Sequence, residues 1–283
     1  MVAQWATALP EVRVDADGSI ALASPHSDAP PVAQFDEHAH GGLLTFLDVA
    51  GALEAPPPRV KVQCTGPLTL GTALARTGMP PDQAFRRAAA AAGAWTQAIE
   101  RLVAERLPAS SLVLFLDEPE LVAWRRGEEP LARDAAIDLL SGVLATATCT
   151  TGVHVCSGGD RRLAFEAGPQ IVGVEVGPDL ALDGDALVRY LDGDGWVAWG
   201  VVPADRPVGS SSEPLWRALV DVWCELTRRG CDPVRLRTQS LITPTCGLAG
   251  HSVDQAERLL AFTTEIADRV HGQAVAARLT LGA

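Results

Sequence analysis

From about residue 58 onward, hydrophobic and polar positions fall into a repeating pattern. Short β-branched runs alternate with longer Ala/Leu-rich stretches whose apolar positions recur at helical spacing. Strands are predicted over Val60–Cys64, Leu112–Leu116, Gly152–Val155, Ile171–Val174, Trp196–Val201 and Thr238–Ile242. The helices that follow them are predicted over Pro81–Leu107, Leu131–Thr148, Arg161–Glu166, Asp183–Leu191, Glu213–Arg229 and Val253–Val270. Six β-then-α units in succession imply a parallel sheet with crossover helices.

Six units need two more strands to close an eightfold β/α barrel, so the expected fold class is α/β, a (β/α)8 TIM barrel. The first 57 residues must supply the missing strands. Gln4–Leu9 is one candidate, whereas Val12–Leu22, with Asp17-Gly18 inside it, reads as a hairpin. The barrel's N-terminal quarter is therefore expected to be shortened or irregular, with Pro56-Pro57-Pro58 as a stiff connector. No internal repeat or linker divides the chain, which reads as one barrel domain over 1–283, irregular over 1–57 and regular over 58–283. An open doubly wound sheet would alternate in the same way, but the Gly-rich dinucleotide fingerprint after the first strand is missing.

Composition narrows the function classes. Hydrophobic residues make up 47% of the 283 residues and suffice for a large core, and the 20% of charged residues form no long like-charge block. A net charge of −12 argues against a nucleic-acid binder and against a polybasic membrane anchor. No apolar run is long enough to span a bilayer, and Met1–Trp5 lacks the basic n-region of a signal peptide. A cytoplasmic protein is expected. In a reducing compartment the six cysteines serve packing, metal binding or catalysis rather than disulfides.

The chemistry-bearing residues cluster where predicted strands end, which in a β/α barrel is the active-site face. They are Thr65-Gly66-Pro67, Asp117-Glu118-Pro119, His154-Val155-Cys156, Glu175, Asp205 and Cys246-Gly247. His154 and Cys156, two apart on a strand, share one face. Taken alone, His-x-Cys more often marks packing residues. With Glu175 and Cys246 it completes an imidazole, a carboxylate and two thiolates, a set that suits tetrahedral zinc and disfavours magnesium and calcium.

Five of these segments resemble the catalytic barrel of the cobalamin-independent methionine synthases. They are Val62–Leu70 around Thr-Gly-Pro, Leu116–Leu121 around Asp-Glu-Pro, His154–Cys156, Ile171–Glu175 and Thr243–Leu248, in the family's order and approximate spacing over residues 60–270. The resemblance implies zinc held by His154, Cys156, Glu175 and Cys246, keeping a substrate thiol as the nucleophilic thiolate. It also implies a site for a small thiol such as homocysteine at Thr65, Gly66, Asp117 and Glu118, with Asp117 on the substrate's amino group. The methyl donor implied is a methylfolate or a methyl-corrinoid protein. The sequence departs from the family in several places. It has no room for the N-terminal barrel of the full-length enzymes, and Thr7–Pro10 lacks the Gly and Ser of the first strand's turn. Asp36 and Glu37 are weak stand-ins for an acidic residue of the second unit. A folate-contacting Trp is absent near Ala73, and Asp205 stands where the family has a catalytic His. Asp205 is taken as the acid or base of the site.

Two further readings remain. One is a non-catalytic homologue serving as a partner-binding subunit of a methyl-transfer system. The other is a metal-free decarboxylase barrel, which leaves the His, Glu and two Cys unexplained. His38 and His40 read as part of a solvated loop. His251 reads as a surface cap at the start of the last helix, and Trp95, Trp196, Trp199, Trp216 and Trp223 as core.

Overall fold

The computed structural model describes residues 1–23, 29–128 and 130–281. The chain forms two compact units, Met1–His154 with Gly158–Leu163, and Val155–Ser157 with Ala164–Ala283.

The first unit opens with helix α1 (Val2–Ala6) and strands β1 (Val12–Val14) and β2 (Ile20–Leu22). Gln4–Leu9 is thus not a strand: residues 2–6 are helical and bury Trp5. Trp95 Nε1 donates to the Trp5 carbonyl at 2.7 Å, satisfying both groups inside the core. β1 and β2 form the expected antiparallel hairpin. Its turn closes through Gly18, whose φ of 81° favours glycine.

Helix α2 (Glu37–Gly51) follows. Asp36 caps it by accepting from the Ala39 N–H at 2.8 Å. This corrects the loop reading of His38 and His40. His40 is fully buried, with its ring 4.9 to 5.4 Å from those of Trp5, Phe35 and Trp95. Its Nδ1 accepts from the Asp36 N–H, and burial holds its pKa down.

Regular β/α structure begins at β3 (Arg59–Thr65), with α3 (Pro67–Arg76), α4 (Pro81–Arg106), β4 (Ser111–Asp117), α5 (Leu121–Arg126), α6 (Arg133–Leu144) and β5 (Thr150–Val155). The strands pair in parallel, β3 with β4 and β4 with β5. Along β3, Val60, Val62 and Cys64 are buried, while Arg59, Lys61 and Gln63 are exposed. Period-two burial of this kind sets one strand face toward the helices. Sequence periodicity missed α3, a ten-residue helix that starts directly after Gly66 with Pro67 in its first turn.

A buried ion pair ties the irregular start of the chain to α4. Glu11 is 1% exposed and receives Arg87 Nε and Nη2 at 2.5 and 2.8 Å. Replacing one member strands the other's charge in a dry setting, so Glu11→Gln should lower unfolding free energy by about 3 kcal/mol. A urea titration showing less than a third of that loss would mean that water reaches Arg87.

Helix α7 (Arg161–Glu166) spans the division between the units. The second unit holds β6 (Ile171–Glu175), a 3-10 turn (Pro178–Asp183), α8 (Gly184–Asp192), β7 (Trp196–Val202), α9 (Glu213–Arg228), α10 (Arg235–Thr238), β8 (Ser240–Pro244) and α11 (Val253–Leu281). β6 pairs with β7 and β7 with β8, again in parallel. Trp199 is fully buried, and its indole N–H donates to Ser240 Oγ at 2.7 Å, whereas Trp196, expected in the core, is exposed at the first position of β7.

All six expected parallel strands are present, and each is followed by helix. Among the described residues, positions 1–57 add an antiparallel hairpin and two helices, and no parallel strand. The fold is α/β with six barrel-type units, and the N-terminal quarter is the irregular part.

Candidate functional site

In the first unit the strand register builds one row. Thr65 pairs with Asp117, and Asp117 with His154. Residues in register on parallel neighbours lie on the same face, so the three side chains stand side by side at the C-terminal strand ends. One step below, the register brings Gln63, Phe115 and Gly152 together. A Cβ on Gly152 would lie 2.5 Å from the Phe115 ring, so this glycine makes room for the ring beneath the row.

Each member of the row keeps a buried polar atom without a hydrogen-bond partner: Thr65 Oγ1, Asp117 Oδ1 and His154 Nε2. A buried polar group left unpaired costs on the order of 1–3 kcal/mol, which makes three adjacent ones a candidate binding position. Thr65 is 1% and Asp117 6% exposed, and His154 is half-buried. The other Asp117 oxygen, Oδ2, accepts from Gln63 Nε2 at 2.9 Å. Gln63 Oε1 in turn accepts from Lys61 Nζ at 2.5 Å, and the Lys61 ammonium lies 4.5 Å from the Phe115 ring centroid. Burial pushes Asp117 up to about 6, against the opposing charge of Lys61 and the Gln63 hydrogen bond. Burial, aided by Lys61, pushes His154 down to about 4. Near neutral pH the row therefore presents a carboxylate and a neutral imidazole, both suited to a cationic partner. Sequence reading missed Gln63 and Lys61. Their only signal is the period of two that sets them on the face of Thr65.

Glu118 has a different place from the one expected of it. It is fully buried, and its carboxylate caps α3. Oε1 accepts from the Leu68 N–H at 2.8 Å, and Oε2 from the Thr69 N–H and hydroxyl at 2.7 and 2.6 Å. These are orphan donors of a helix N-terminus, which also favours negative charge. Burial nevertheless pushes Glu118 up to about 7, with the Thr69 and Leu68 bonds opposing. Gly66 makes the approach possible, because a Cβ there would overlap the carboxylate. Gly66 and Glu118 thus shape this strand end and anchor the first turn of α3.

In the second unit the loops after β6, β7 and β8 are laced together. Val176 N–H donates to the Gly200 carbonyl, and Thr245 N–H to that of Val202, both at 2.9 Å. Gly200 allows the close approach: a Cβ there would lie 3.0 Å from Thr245 Cα and 3.4 Å from Glu175 Cα. The backbone that carries Glu175 therefore lies close to the backbone just before Cys246. Cys156 and Glu175 are half-buried, and Cys246 and Asp205 are exposed. Among the described residues, no three His, Cys, Asp or Glu side chains are gathered closely enough to hold a metal ion. The donor types suit zinc and His154 has a spare buried nitrogen, but the expected ligands do not form a completed cage here.

His251 is more than a surface cap. Its Nε2 lies 2.7 Å from the Ala204 carbonyl, while the Ala204 N–H donates to Thr245 Oγ1 at 2.9 Å. Both sides of Ala204 are thus held by the segment after β8, fixing the chain just before Asp205.

No family model matches this chain, and no curated protein matches it. Among solved structures it is similar to a B12-independent methionine synthase from Shewanella sp. W3-18-1, described in complex with selenomethionine. The TM-score is 0.60 at 14% sequence identity, over 94% of this chain and 75% of that one. At that identity the likeness is one of fold, and it extends through both the regular β/α units and most of the irregular N-terminal part.

Proposed function

We propose that this chain is a methionine-synthase-like transferase that delivers a methyl or other alkyl group to a small aminothiol, with homocysteine the first candidate. The observation that supports it most is the row of Thr65, Asp117 and His154, each with an unpartnered buried polar atom. Asp117 accepts the substrate ammonium on Oδ1 while Gln63 holds Oδ2. Thr65 offers a hydroxyl beside it, and Gly66 and Glu118 keep that strand end in place by anchoring α3. Asp205 takes or gives the proton of the reaction, and a methylfolate or methyl-corrinoid protein supplies the alkyl group. Zinc belongs to the proposal through donor chemistry: His154, Cys156, Glu175 and Cys246 supply the nitrogen and soft sulfur it prefers. When bound, zinc would favour the thiolate form of the substrate.

A second reading, a non-catalytic partner-binding subunit, is favoured by one observation, the absence of a gathered metal cage among the described residues. Metal content and ligand binding separate the two. Reduced wild-type protein is expected to take up about one zinc per chain and to lose it in Cys156→Ala. Titration calorimetry should show L-homocysteine binding that Asp117→Asn weakens by about tenfold or more, since a hydrogen bond to a charged group is worth ~1.5–3 kcal/mol. A wild type that takes up no zinc and binds no homocysteine would leave the subunit reading in its place.

A further inference from the structure

A cavity of about 310 Å³ in the second unit lies between the loop after β7 and the first turns of α11. We infer that it is a recognition site for a small organic carboxylate with an apolar body, held by Arg206 and Arg258. Neither guanidinium has an ion pair or hydrogen bond among the described residues, although both reach the same cavity. Two free cationic forks facing one hollow stand out in a chain of net charge −12.

The walls are held in place. Arg206 follows Ala204, whose carbonyl and N–H are both tied down by His251 and Thr245, and it lies between Pro203 and Pro207. Arg258 and Leu259 stand one turn beyond Gln255, on the same helix face. The start of that helix is fixed by a reciprocal capping box: Gln255 Oε1 accepts from the Ser252 N–H, and Ser252 Oγ from the Gln255 N–H. Arginines on supports of this kind lose less freedom on binding than arginines on a mobile loop.

The lining selects among anions. Pro207, Val208 and Leu259 give the hollow an apolar floor suited to a hydrocarbon or aromatic body. A planar guanidinium matches a carboxylate in a two-point fork. Asp205 lines the same hollow and repels a second negative charge, so a monoanion is preferred to phosphate. The cavity lies within the second unit and shares Asp205 with the proposed reaction, and its test needs no catalytic activity.

Benzoate and inorganic phosphate are the probes, followed by saturation-transfer NMR and chemical-shift titration on the full chain. Benzoate should bind wild type and bind more tightly than phosphate. Arg206→Ala and Arg258→Ala, both at exposed positions, should each weaken benzoate by about tenfold with an unchanged circular dichroism spectrum. Asp205→Asn should narrow the preference for benzoate over phosphate. No benzoate binding at millimolar concentration, binding by both arginine variants as tight as by wild type, or tighter binding of phosphate would each overturn the assignment.

Discussion

Glu118→Ala should cost the protein about 3 kcal/mol or more of unfolding free energy. The substitution removes one small side chain's worth of atoms, but it orphans three donors at once: the Leu68 and Thr69 N–H groups and the Thr69 hydroxyl. All three are buried with their acceptor, so water cannot replace it without opening the strand end. Gly66→Ala should produce much of the same loss, because the new Cβ drives the carboxylate off its donors. The double variant should then fall well short of the sum of the two, which a double-mutant cycle in urea would show. Full additivity would mean that Gly66 and Glu118 act independently, and would sink this account of the cap.

The same group gives the effect a pH dependence of defined sign. Glu118 titrates at about 7 in the folded chain and near its ordinary 4.5 when unfolded. The folded state therefore binds its proton more tightly, and that contribution is whole below pH 4.5 and lost as pH rises to about 7. Asp117 adds a slope of the same sign between its ordinary 3.8 and about 6. His154, lowered to about 4, gives the opposite sign between 4 and 6.5. Subtracting the Glu118→Ala curve from wild type isolates the first of these. The difference should be larger at pH 5 than at pH 8.

Gly200→Val should destabilise the second unit by about 3 kcal/mol or more. A Cβ at this position would lie 3.0 Å from Thr245 Cα and 3.2 Å from the Val174 carbonyl oxygen. Those neighbours are backbone atoms of paired strand ends, which cannot swing aside as a side-chain tip can. The substitution must push apart the segments that carry Glu175 and Cys246. Thermal unfolding should therefore drop by several degrees, and any zinc uptake should weaken in parallel. Gly209→Ala is the control, since nothing lies within 4 Å of its would-be Cβ. Equal effects at the two positions would show that close approach at Gly200 is not what the glycine provides.

Much of this architecture is legible in the sequence. The six strands lie within about two residues of where alternation places them, because a strand buried on its helix-facing side needs β-branched residues and the following helix needs a 3.6-residue stripe. The hairpin at Val12–Leu22 follows from turn chemistry around Gly18. Helix α1 could not be read this way. Five residues are too few to show a period, and the segment is helical because Trp5 packs among Trp95 and His40. The same cluster turned His40 from an expected solvated histidine into a core residue.

The candidate site divides along similar lines. Residue type and position at a strand end were enough to single out Thr65, Asp117 and His154, because the strand-to-helix crossing puts such residues on one edge. Whether each side chain is free or engaged was not readable, since that depends on partners about fifty residues away. Asp117 and Glu118 are adjacent in sequence and chemically alike. Register sends one into a row of unpartnered atoms and the other beneath the first turn of α3. Local sequence by itself thus determined the elements, their order and the edge that carries the chemistry, through periodicities that act over a few residues. Only the tertiary structure decided which of those groups hold the fold and which are left open, because hydrogen-bond satisfaction in a buried site is a property of neighbours in space.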